Sequence, residues 1–223
     1  MKKIICTFVI ATSFIFSSSK VAIAIKVKGS VSVSQKGSSS SQKLRAGLPL
    51  SDQDRIKTNK NGFVALMYLD DKTVVKILAN SDLVVFGDRA NAEINKALDI
   101  KYGKVAANVK PQKGKNFRIS TATSVASVKG TELAINSDPS YGDSFTLIEG
   151  FIEITNSITG ESTEVNEGET AISTPEGSLE VSQTTQEDLE EFGDAGLELQ
   201  TQELRFEIED EDGNLKEILI KFQ

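Results

Sequence analysis

The stretch that decides the fold is Thr121-Ala-Thr-Ser-Val-Ala-Ser-Val-Lys-Gly-Thr-Glu-Leu-Ala-Ile135. Small residues alternate with Val up to Val128, then Lys129-Gly130-Thr131-Glu132 interrupts, and Leu133 and Ile135 resume the alternation. A period of two is a strand signal, and a glycine inside a strand marks a bulge or a close backbone approach. The expectation is a buried β-strand with a glycine kink inside it.

The same texture runs outward in both directions. Val27, Val31 and Val33 alternate with polar residues around Gly29. Phe63 to Leu69 reads as a strand, Asp70-Asp71-Lys72 as a tight turn, and Thr73 to Leu78 as the return strand. Turn residues recur about every 8–12 residues, the pattern of a sandwich, barrel or solenoid-like roll. An internal echo accompanies them. Val27-Lys-Gly29-Ser-Val31-Ser-Val33 is followed by Gly47, and Ile148-Glu-Gly150-Phe-Ile152-Glu-Ile154 by Gly168, both at a spacing of 18 residues. Gly103-Lys-Val105 reads as a third, partial copy. Matched units fit a stacked or pseudo-symmetric β architecture, with chance recurrence of strands and turns as the alternative.

After Ser182 the texture changes. Gln183 to Phe192 is acidic and fits a short helix, with Thr184 or Thr185 as N-cap and acids in the first turn. Leu204 to Ile208 and Leu215 to Phe222 flank Asp210-Glu-Asp-Gly-Asn214, which has hairpin turn chemistry. An isolated hairpin is marginal in water, so this one is expected to dock on the body or on a partner.

The N-terminus reads as a secretory signal. Lys2-Lys3 precede an apolar run from Ile4 to Phe16, and Ala22-Ile23-Ala24 supplies an A-x-A cleavage site. The run is 13 residues long, shorter than the roughly 20 that span a bilayer as a helix. The expected domains are a signal peptide over 1–24, a β domain over 25–181, and an appendage of helix plus hairpin over 182–223. An uncleaved membrane anchor is the alternative. The chain's one cysteine, Cys6, lies in the apolar run, so the mature protein would have no disulfide or thiolate metal site.

Charge is segregated. The whole chain carries −7, and the leader holds three lysines, which puts the mature protein at −10. Residues 176–223 hold 15 acids against three bases, leaving the body near neutrality at +2. That balance argues against a nucleic-acid partner. Within the body, seven bases and no acid lie between Lys101 and Lys129, and nine acids and no base between Glu132 and Pro175. This reads as complementary solvated strand faces. The sharper alternative is a basic loop of Lys110, Lys113, Lys115 and Arg118 that binds an anionic surface polymer or the acidic tail of another copy.

These residues resemble the FecR domain, the extracytoplasmic module of iron-citrate-type signalling regulators and of many stand-alone exported proteins. The similarity covers roughly Ile25 to Ser178. It is carried by Gly29-Ser-Val31-Ser-Val33, by Asp54-Arg-Ile56-Lys-Thr58 with Asn61-Gly62, and by Leu69-Asp-Asp71. Phe117-Arg-Ile-Ser-Thr121, the family motif Gly130-Thr131-Glu132 and Gly168-Glu-Thr-Ala171 complete it. Family members in iron signalling carry a cytoplasmic anti-sigma segment before a transmembrane helix. Here three residues precede the apolar run, so no direct sigma-factor contact is expected. The resemblance also implies that the Gly130–Thr131 bond is a candidate for self-cleavage, with a structural bulge as the ordinary reading.

Enzymatic chemistry finds little in the sequence. With no histidine, Ser-His and Cys-His nucleophile systems and His-ligated metals are excluded. Ser40-x-x-Lys43 has Ser–Lys spacing but sits in a serine-rich turn, and Glu149 and Glu153 read as a solvated strand face. Asp210, Asp212 and Asn214 open like a calcium loop, yet the glycine stands at the fourth position rather than the sixth. No catalytic residue, metal site or cofactor is assigned. The expectation is therefore an all-β protein: a two-layered β-roll or solenoid-like FecR body with a short acidic helix and a C-terminal β-hairpin. It is expected to be periplasmic or secreted, and to act as a non-enzymatic binding, scaffold or sensor module for an envelope protein or an anionic surface polymer. The second expectation is a structural protein of the envelope that self-assembles as a homo-oligomer through basic body and acidic tail.

Overall fold

Alternate side chains of a period-two run share one face, so each run can bury that face only against another sheet. The computed structural model describes residues 20–90, 93–112, 114–196, 202–209 and 215–222, and in it two such sheets lie face to face. The chain begins in layer A with β1 (Lys20–Lys28) and crosses at Gly29 to β2 (Val31–Ser34) and β3 (Gln42–Lys43) in layer B. It returns to layer A as β4 (Pro49–Ser51), then to layer B as β5 (Asp54–Thr58). The hairpin β6 (Phe63–Tyr68) and β7 (Val74–Ile77) lies in layer A, and β8 (Asp82–Ala90) in layer B. The long β9 (Glu93–Val109) starts in layer B and ends in layer A. β10 (Phe117–Ser120) and β11 (Ser124–Val128) follow in layer B, β12 (Thr131–Asp138) and β13 (Gly142–Glu149) in layer A. β14 (Phe151–Asn156) and β15 (Ser162–Asn166) belong to layer B, β16 (Glu169–Ser173) and β17 (Leu179–Gln183) to layer A.

Layer A runs β4-β1-β6-β7-β9-β12-β13-β16-β17. Layer B runs β3-β2-β5-β8-β9-β10-β11-β14-β15. β9 is central to both, and its pairing with β10 is parallel (Arg118 opposite Ala97) where the other pairings are antiparallel. The sheet does not close on itself. One end of the roll therefore finishes in β3 and β4, the other in β15 and β17.

The echo in the sequence is a repeat in space. β1 to β4 run through layers A, B, B, A with β1 paired to β4 and β2 to β3; β13 to β16 repeat this with β13 paired to β16 and β14 to β15. Gly29 and Gly150 sit at the same corner of the two units. Gly29 has φ +62°, and a Cβ there would overlap the Asn61 carbonyl oxygen of the next corner, so only glycine fits. Gly103, the supposed third copy, differs. It bends a single strand from layer B to layer A, with φ +104°, and a Cβ there would overlap Ser81. The stretch read as one kinked strand is likewise two: β11 and β12 belong to different layers, and Lys129-Gly130 is the corner between them. Alternation holds on both sides of a layer crossing, so the sequence pattern alone does not reveal the change of sheet.

The interior between the layers is built from the period-two positions, Ile56, Leu66, Ile100, Leu133, Phe145 and Ile154 among them, all fully buried. Tyr68 meets Phe117 edge-on at 5.6 Å and 76°, and its hydroxyl donates to the Phe86 and Ala97 carbonyls. Burial pushes the Tyr68 phenol well above its ordinary value. A second, smaller core lies on the outer face of layer A. There α1 (Gln186–Glu190) and a 3₁₀ turn (Gly193–Ala195) set Leu189, Phe192 and Ala195 on Leu78, Ala106, Ala134 and Ile148. Thr185 is the N-cap and forms a capping box with Asp188. Glu191 bridges Lys104 at 3.1 Å and accepts from the Asn136 amide at 2.9 Å, while the Lys76 ammonium donates to the Ala195 carbonyl at 2.6 Å. The C-terminal hairpin, β18 (Gln202–Glu209) and β19 (Leu215–Phe222), pairs Phe206 with Ile218 and Leu204 with Ile220. Its turn at 210–214, its expected docking and the apolar N-terminal run lie outside the described residues.

Candidate functional site

The most elaborate polar arrangement forms where the β6–β7 turn meets β9 and the loop that follows it. Period two puts Ile94, Lys96, Leu98 and Ile100 on one face of β9, and that face is the core. Lys96 is consequently a buried cation, its side chain 2% exposed. Such a charge is stable in a protein interior only when paired and hydrogen-bonded. The turn supplies the partners: Lys96 Nζ donates to Asp70 Oδ2 at 2.7 Å and to Asp71 Oδ2 at 2.9 Å. The Tyr68 ring centroid lies 5.7 Å from the same ammonium. Asp70 Oδ2 also accepts from the Ile94 amide at 3.0 Å, and Asp71 Oδ1 from the Thr73 amide at 2.9 Å.

Gln112 closes the arrangement. Its amide donates to Asp71 Oδ2 at 2.8 Å and its oxygen lies 3.4 Å from Lys96 Nζ, so the loop after β9 is fastened to the turn. Burial pushes the Asp71 carboxyl up, but the bonds from Lys96, Thr73 and Gln112 outweigh it and hold the group below the usual carboxylate value. Outside this network a cleft of about 270 Å³ opens between Glu93, Pro111 and Lys115, with Glu93 and Lys115 joined at 2.7 Å. Every donor of Lys96 points at an acceptor within the fold, which makes it an anchoring cation rather than a nucleophile or base.

The basic segment is spread out. The Lys110 amide donates to Thr73 Oγ1, and Lys115 is paired with Glu93. Arg118 stands exposed in β10 opposite Ser127. Lys113 lies outside the described residues. The motif Gly130-Thr131-Glu132 occupies the corner between β11 and β12. The Thr131 hydroxyl donates to the Phe151 carbonyl at 3.3 Å, and Glu132 accepts from the Asn108 amide at 3.1 Å. A Cβ at Gly150 would come within 2.9 Å of the Gly130 carbonyl oxygen, so the motif marks a place where two corners stack. Ala22 and Ala24 are fully buried within β1.

Sequence reasoning missed Lys96. A lysine in phase with Ile94, Leu98 and Ile100 was the signal available, because a charge at a core position of a strand demands a partner. Its partners, Asp70 and Asp71, read only as turn residues because their pairing is not local.

Residues 54–153 match the FecR protein family. No curated protein matches the sequence significantly. Two crystal structures of a candidate anti-sigma factor from Parabacteroides distasonis ATCC 8503, at 2.50 and 1.65 Å, are similar to this chain at 17% and 18% identity, with TM-scores of 0.49 and 0.48. Each match covers 58% of this chain and 59% of the other, so the chain spans little more than half the length of that protein. The family match supports a sensing or signalling module, from a family that is generally non-enzymatic. A roll whose corners carry Asn61-Gly62, Gly130-Thr131-Glu132 and Gly150 thus contains, from Asp54 to Glu153, a segment that matches the FecR protein family.

Proposed function

We propose that the chain is an exported, non-enzymatic binding module of the FecR type, which receives an envelope protein along the open end of its roll. The observation that carries this reading is the β17 edge. β17 pairs with β16 on one side, and among the described residues no strand pairs with its other side. Val181 on this strand and Ile172 beside it are 38% and 48% exposed. An unpaired edge with exposed apolar side chains is a template for strand addition, in which main-chain bonds give affinity and alternate side chains give specificity.

The second reading, charge-driven self-assembly, is weighed against by Glu191, which satisfies Lys104 of its own chain. Size-exclusion chromatography at low and high salt separates the two, because an assembly held by charge dissociates as screening rises.

The direct test places a photo-crosslinking side chain at Val181, or at Lys36 in a distant exposed turn, in the full chain in living cells. The reading predicts one dominant heterologous adduct from position 181 and none from 36. No adduct at 181, or the same adducts at both, contradicts it.

A further inference from the structure

We infer that the signal peptide is removed after Ser19, so that the mature protein begins at Lys20. This rests on the reading of export above, and it concerns where the leader ends. The Ala22-Ile-Ala24 site would place the cut inside β1, and the fold needs the residues that cut would discard.

Val21, Ala22 and Ala24 are each 0% exposed. All β1 contacts with β4 lie in this short segment, Lys20 opposite Ser51, Ala22 opposite Leu50 and Ile23 opposite Pro49. Half of the β1–β6 register lies there too, with Ala22, Ile23 and Ala24 opposite Tyr68, Met67 and Leu66. The Val21 carbonyl accepts from the Leu69 amide at 3.0 Å, and the Ala24 carbonyl from the Gly47 amide at 2.8 Å. Val21 reaches across to layer B, where a Cβ on Gly87 would approach it within 2.7 Å. Lys20 Nζ donates to Ser51 Oγ at 2.8 Å.

A chain that began at Ile25 would leave β4 without a sheet partner and uncover buried apolar side chains on both layers. Unpaired backbone groups and a void of that kind are among the costliest defects a β-fold can carry. The cut must therefore fall at or before Lys20. Cleavage after an apolar run needs small residues at the first and third positions before the scissile bond. Ser17 and Ser19 meet that requirement directly after Phe16, and leave β1 whole.

The test is to express the full chain with a C-terminal tag in a bacterial host, fractionate the cells, and read the intact mass and N-terminal sequence of the product. The expected product is periplasmic or secreted and begins at Lys20, and Ser19→Phe blocks its release. A product beginning at Ile25 overturns the inference while export stands. An intact chain held in the membrane replaces processing with an anchor, and an intact cytoplasmic chain overturns export itself. A companion measurement needs no export. Chains made to begin at Lys20 and at Ile25 are unfolded in urea; the first is expected to show one cooperative transition and the second to lose it. Equal transitions for the two would overturn the burial argument.

Discussion

At the scale of single residues, the buried cation carries the sharpest consequences. Lys96→Ala removes the counter-charge from Asp70 and Asp71 and leaves two carboxylates facing the core. Breaking a buried pair from one side costs about 3–5 kcal/mol, and a loss near the lower figure is expected in urea unfolding, since Asp71 is 21% exposed. A variant as stable as the parent would show that the pair is solvated. A second acid adds a pH dependence. Burial pushes the Asp82 carboxyl up, but Arg55 and Lys57, at 2.6 and 3.0 Å, hold it below the ordinary carboxylate value. A carboxyl depressed in the folded state contributes stability that is present above its unfolded pKa, about 3.9, and lost as pH falls through the folded pKa. Asp71 behaves in the same sense. Asp54 opposes them, because burial raises it despite the Ser51 amide, so acidification relieves that group. Two groups against one predict a fall in urea midpoint on acidification below about pH 4. Asp82→Asn should lower the midpoint at pH 7 and flatten the acid limb; an unchanged acid limb would count against the assignment.

Among elements, corners and the docked helix are the parts most open to perturbation. Gly29 and Gly37 both have positive φ, +62° and +70°, but only Gly29 has backbone in the path of a Cβ. Gly37→Ala isolates the conformational penalty, about 1–2 kcal/mol. Gly29→Ala adds the overlap with Asn61 and is expected to be destabilised by at least about 2 kcal/mol more, the scale of overpacking. Equal effects would mean the corner yields freely. Phe192→Ala removes the largest side chain of the outer core and is expected to cost about 3 kcal/mol. Hydrogen exchange should then rise over residues 185–196 while β9 stays protected.

These elements also mark how much the sequence disclosed. The β6–β7 hairpin and the helix after Thr185 were legible because turn chemistry, alternation and capping are local signals. The repeat was legible through Gly29 and Gly150, since glycine is fixed by the corner itself. The division of 121–135 between two layers was not legible, because alternation is the same on either side of a crossing. Lys96 was visible only as a lysine in core phase, and its partners lie 25 and 26 residues away in the chain.

As a whole, the molecule is one two-layered body turning about β9. β1 joins β4 to β6 at one end, and at the other, among the described residues, no strand pairs with the outer edge of β17. Segregated charge in the sequence becomes contact within the fold at Lys104 and Glu191, and the basic and acidic segments lie side by side where β9 pairs with β12. Hydrogen exchange of the folded protein, resolved by peptide, tests this body most directly. The slowest amides are expected in β9 from Leu98 to Val109, at one rate shared by its neighbours in both layers, and the fastest strands are β3, β15 and β17. Fast exchange in β9, with residues 20–90 and 117–183 opening as two independent units, would contradict it.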